Sequence, residues 1–96
     1  MSPINKKKLD LLRIKLDKLD NKLLKLIKER SNLVNEVLKV KIHKKEIIDQ
    51  KRINFILMKI KKKSIQYNID PKITNRIWKN MIWSFIDYEK RNFKKK

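Results

Sequence analysis

The chain has 96 residues, with 28 Lys and Arg against 10 Asp and Glu, for a formal charge of +18. It contains no Cys, no Gly and one His, His43, which excludes disulfides, thiolate metal centres, P-loops and glycine-based dinucleotide fingerprints. The charge predicts anionic partners: nucleic acid, a membrane surface or a small polyanion. Only five of the basic residues are Arg (Arg13, Arg30, Arg52, Arg76 and Arg91). Lys, Ile and Asn abound as AT-biased coding would make them, so total charge alone carries little functional weight. No apolar run reaches membrane-spanning length, and Ser2-Pro3-Ile4-Asn5 does not read as a secretory leader, so a cytoplasmic chain of one domain, residues 1–96, is expected.

The first predicted element opens at Ser2-Pro3, with Ser as N-cap and Pro at the first helical position. Leu9, Leu12, Leu16, Leu19, Leu23 and Leu26 then alternate in steps of three and four, the period of one helical face. Leu33, Val37 and Val40 extend the stripe, and no Pro or Gly interrupts it before Ile42. A helix of roughly 40 residues is about 60 Å long. The rest of the chain cannot cover such a rod, because a folded chain of this size has a radius of gyration of only about 13 Å. A long amphipathic helix in a small chain therefore asks for a partner chain.

Residues 43–48 read as a polar, lysine-bearing loop. A second helix is expected over Asp49 to Tyr67, with Ile53, Ile56, Leu57 and Ile60 on one face. A third opens at Asp70-Pro71, again an N-cap followed by Pro, with Ile73, Ile77, Trp78, Met81, Ile82 and Phe85 as its apolar face. The core spans about residues 9–90, and Lys94 to Lys96 form a basic tail. No strand-like alternation is bounded by turn residues, so the fold class is all-α.

The scarce arginines carry the spacing signal. Arg30 and Lys41 are eleven residues apart and share a face of the first helix at about 16 Å. Arg13 lies about 25 Å from Arg30 on the same rod, too far to reach the same small ligand. If both serve one site, Arg13 comes from the partner chain, with the long helices antiparallel. Asp49 and Arg52 stand one turn apart at the start of the second helix.

The run Arg13-Ile14-Lys15-Leu16-Asp17, the leucines to Leu26, then Glu29-Arg30, Val37 and Lys41 resembles the first helix of the all-helical chorismate mutases. Asp49-x-x-Arg52 follows after a slightly shortened loop, and Ile69-Asp70 with the helix Ile73 to Glu89 resembles the family's third helix. The resemblance implies three helices per chain in an intertwined homodimeric bundle. It implies rearrangement of chorismate to prephenate in aromatic amino-acid biosynthesis, with no metal or cofactor. Chorismate is a dianion, and its rearrangement is intramolecular. An enzyme need only hold the enolpyruvyl arm over the ring and stabilise charge growing on the ether oxygen. By resemblance, Arg13 of one chain with Arg30 and Arg52 of the other clamps the two carboxylates, a task suited to planar guanidinium forks. Lys41 donates to the ether oxygen and a carboxylate, and Asp49 positions Lys41 or the ring hydroxyl. Glu89 takes the place of the second donor to the ether oxygen. Only its protonated form can donate, so activity is expected to fall as pH rises through its titration.

Two positions depart from the family pattern. Ile53 stands where a Glu usually binds the substrate hydroxyl, and Phe85 stands where a small Ser is frequent one turn before Glu89, so that Phe85 is expected beside the substrate. Single charges on a Lys-rich helix are usually solvated, and it is the joint register that sets Arg13, Arg30 and Lys41 apart. His43, Arg76, Arg91 and Lys61-Lys62-Lys63 read as bystanders, and Trp78, Trp83 and Tyr88 as packing residues. A basic helical nucleic-acid-binding protein would explain the charge but not the arginine spacing. An isochorismate-pyruvate lyase of the same fold would use the same cationic clamp for an elimination. A purely structural helical dimer is the third alternative.

Overall fold

The computed structural model describes residues 2–41 and 43–94. Among them are three α-helices and one short 3-10 helix, in the order α1 (Pro3–Val40), the 3-10 helix (Lys44–Ile47), α2 (Gln50–Gln66) and α3 (Pro71–Asn92). No strand occurs among the described residues. The chain divides into two compact units, Met1–Leu33 and Val34–Lys96. Lys95 and Lys96 of the basic tail lie outside the described residues.

The first unit holds most of α1, whose last residues from Val34 belong to the second. Ser2 caps α1 as the sequence predicts: its Oγ accepts from Asn5 N at 3.2 Å, and its carbonyl accepts from Lys6 N at 2.9 Å. Leu and Lys favour the helix intrinsically, and nothing after Pro3 breaks it. α1 runs for 38 residues and buries none of them. Leu12, Leu16, Leu19, Leu23 and Leu26 are each more than half exposed. A continuous leucine stripe open to water is rare on a chain that works alone.

The second unit holds the core. The segment expected as a polar loop instead forms the 3-10 helix, and Ile47, 3 % exposed, enters the core. Glu46 Oε1 accepts from His43 N at 2.8 Å, which closes the start of this turn. The second helix lies where expected, with Asp49 as its N-cap. Its end shows how a chain without glycine stops a helix. Asn68 adopts φ 58°, a conformation that Asn tolerates better than most residues. Ile69 N then bonds Ser64 O at 2.8 Å and Asn68 N bonds Ile65 O at 3.2 Å, the paired closure that Gly usually supports. Asp70 caps α3 through Lys72 N at 2.9 Å, with Pro71 opening the helix.

α3 packs on α2 and on the 3-10 helix. Ile47, Ile53, Ile82 and Ile86 form the buried cluster, with Ile56, Leu57 and Phe93 against it. Burying each isoleucine is worth about 1.5–3 kcal/mol, so this core is small. At the Asn68 turn the two helices meet through small polar groups, as Ser64 Oγ and Thr74 Oγ1 share a buried hydrogen bond of 2.7 Å. The inward face of α3 is rotated from the predicted one. Ile73 and Ile77 are more than half exposed, whereas Thr74, Ile86 and Glu89 are buried with Ile82. The sequence offers isoleucines on several sides of this helix, and contact with Ile47 and Ile53 selects among them.

Candidate active site

Lys41 follows the last residue of α1, held by its backbone N to Leu38 O at 3.3 Å. Glu89 sits near the end of α3, where steps of four and three from Ile82 through Ile86 keep it on the buried face. These two residues, 48 positions apart, meet: Lys41 Nζ donates to Glu89 Oε1 at 2.9 Å. The side chains are 17 % and 8 % exposed. Glu89 is thus a buried carboxylate with a specific cationic partner rather than surface charge beside Lys90 and Arg91. Beside it, Tyr88 Oη donates to Asn35 Oδ1 at 2.7 Å, a second tie between the end of α1 and α3. Neither Asn35 nor this pairing carried a signal in the sequence, since a lone Asn on a polar helix has many alternatives.

An ammonium has three donors, and Glu89 takes one of them. Lys41 also lines an open depression of about 450 Å³ together with Glu46, Ile48, Asp49, Gln50 and Lys51. Asp49 is exposed, and its Oδ1 accepts from Arg52 N at 3.0 Å. The expected Asp49–Arg52 pair is therefore realised as a helix cap through the backbone. The Arg52 guanidinium stands 5.5 Å from the Phe55 ring centroid, and Arg52 is exposed. Phe85 lies half-buried on α3 one turn before Glu89. Ile53, at the position of the family's hydroxyl-binding Glu, belongs to the core and is 6 % exposed. A larger hollow of about 530 Å³, lined by Asn35, Lys39, Tyr88, Asn92 and Phe93 among others, includes neither Lys41 nor Glu89.

The first unit carries the other two cations. Arg13 is exposed on α1 and Arg30 is half-buried. His43 and the run Lys61 to Lys63 are exposed, as expected of bystanders. Among the described residues no three His, Asp or Glu side chains gather where a metal ion could be held. No helix among them is long and apolar enough to cross a membrane.

Compared with known proteins, the chain matches the family described as chorismate mutase type II over residues 12–90. It is 37% identical over 76 residues to a chorismate mutase of Methanocaldococcus jannaschii, an alignment covering 78% of this chain and 77% of that protein. No solved structure matches it. The family match spans all three helices and every residue that the arginine and lysine spacing singled out, and on that extent the chain belongs to the type II chorismate mutase family.

Proposed function

We propose that this chain isomerises chorismate to prephenate in a site assembled by two copies of itself, with Lys41 and Glu89 at the reacting ether oxygen. The activity follows from family membership. The pairing of Lys41 Nζ with Glu89 Oε1 at 2.9 Å carries the site. Two groups remote in sequence converge, the Lys41 ammonium donating to the Glu89 carboxylate, and its remaining N–H groups are available to an ether oxygen. Arg30 and Arg52 clamp the carboxylates, and Arg13 of the second copy completes the clamp. Asp49 borders the ring, and Phe85 packs beside it.

The reaction breaks a carbon–oxygen bond and forms a carbon–carbon bond within one molecule. The protein's work is to fold the enolpyruvyl arm over the ring and to meet developing negative charge with fixed donors. Lys41 supplies a cation that Glu89 holds in position before substrate arrives. The charge of +18 favours capture of a dianion from solution.

Assembly of two copies is supported by α1, whose leucine stripe is more than half exposed from Leu12 to Leu26. Two antiparallel α1 helices cover each other's stripes and bring Arg13 of one copy toward Arg30 of the other. The direct test is loss of chorismate absorbance with purified protein beside a Lys41→Ala control. Turnover with wild type and its collapse in the variant are expected. Equal turnover in both would remove Lys41 from the site.

A further inference from the structure

Chorismate carries a ring hydroxyl, and the position of that hydroxyl separates it from its isomer isochorismate. A site that tells the two apart needs an acceptor near the ring. On α2, Ile53 is buried in the aliphatic core and accepts nothing. The acceptors beside Lys41 lie in the depression bordered by Glu46, Asp49 and Gln50. Asp49 serves the helix cap through Arg52 N at 3.0 Å, and the α2 macrodipole draws on its charge. The Gln50 amide is turned along the helix, with Nε2 bonding Asn54 Oδ1 at 2.9 Å. Glu46 differs from both. It stands on the 3-10 helix rather than on α2, its Oε1 accepts from His43 N at 2.8 Å, which fixes the group, and it lines the depression together with Lys41.

We propose that Glu46 is a specificity-determining residue that accepts the hydrogen bond of the substrate's ring hydroxyl, an inference that rests on Lys41 marking the active site. Glu46 shares the depression with Lys41 and Lys51 and follows Lys44 and Lys45 in the chain, so its charge is offset where a dianion binds. A hydroxyl donates to a carboxylate with one short directional bond, stronger than a neutral pair. The 3-10 helix that carries Glu46 also puts Ile47 into the core, which ties the acceptor to a rigid element rather than to a swinging loop.

The test uses two competitive inhibitors, bicyclic ether dicarboxylates that mimic the rearranging substrate, one with the ring hydroxyl and one without. In the wild type the hydroxyl-bearing compound binds more tightly. Glu46→Ala is expected to weaken it about tenfold and to leave the other unchanged. Glu46→Gln keeps an acceptor for His43 N and gives a smaller loss confined to the same compound, which covers the case in which the Ala variant does not fold. Equal losses on both inhibitors, or no loss on either, overturn the assignment. A wild type that binds neither inhibitor, or tight binding of both by Lys41→Ala, overturns the underlying site and this assignment with it, whereas equal losses from Glu46→Ala in a protein that Lys41→Ala disables overturn this assignment alone.

Discussion

Lys41 Nζ and Glu89 Oε1 lie 2.9 Å apart with both side chains largely withdrawn from water, so the end of α1 is fastened to α3 by an ion pair rather than by aliphatic packing. An ion pair in such a place is weak evidence for stability, since desolvation opposes the Coulombic gain. In the site proposed above the pair has a use in the reaction, where it fixes a cation at the ether oxygen.

Removing one partner should cost more than the pair is worth. Glu89→Ala leaves the Lys41 ammonium without its carboxylate and is expected to destabilise the fold by about 3 kcal/mol. Glu89→Gln keeps the shape and a hydrogen-bonding group and should cost less. Denaturant midpoints of the two variants and wild type measure the difference. A Glu89→Ala midpoint equal to wild type would mean that Lys41 finds water or another acceptor at no loss.

In the proposed clamp, Arg30→Ala removes a charge-assisted contact to a substrate carboxylate. The expected loss is at least about 2–3 kcal/mol of transition-state binding, read as kcat/KM for loss of chorismate. Unchanged kcat/KM would refute its place in the clamp.

The proposed dimer has an activity test and a mass test. Arg13→Ala and Arg30→Ala subunits, each inactive alone, should recover about a quarter to half of wild-type activity when co-folded, because hybrid dimers hold one intact site. No recovery would mean that each site lies within one chain. Leu19→Glu puts a charge in the middle of the stripe. The wild type should sediment at twice 11.8 kDa, and the variant should fall toward the monomer with reduced helicity. A wild type that sediments as a monomer would remove the shared site.

Restoring the family's carboxylate at position 53 should fail here. Ile53→Glu places a charge among Ile47, Ile82 and Ile86, and a loss of about 3 kcal/mol or more is expected. A thermal midpoint unchanged by this substitution would mean that the position opens to the site rather than to the core.

Much of this was legible in residue order. Ser2 and Asp70 announced two of the helix starts, because a cap is a local event between a side chain and an amide two or three residues on. The length of α1 followed from the absence of Pro and Gly, and its exposed stripe from the leucine period. The register of Arg13, Glu29-Arg30 and Lys41 pointed to the family. Tertiary structure decided what depends on remote neighbours. It chose Ile86 over Ile73 and Ile77 for the core, turned the supposed loop at Lys44–Ile47 into a core-forming turn, and joined Tyr88 to Asn35. Periodicity tells which residues of one helix share a face, but several faces of α3 carry isoleucine, and only the elements packed against it determine which one is buried. For the same reason Glu89 could be placed on a face by counting, while its meeting with Lys41 required the chain to fold.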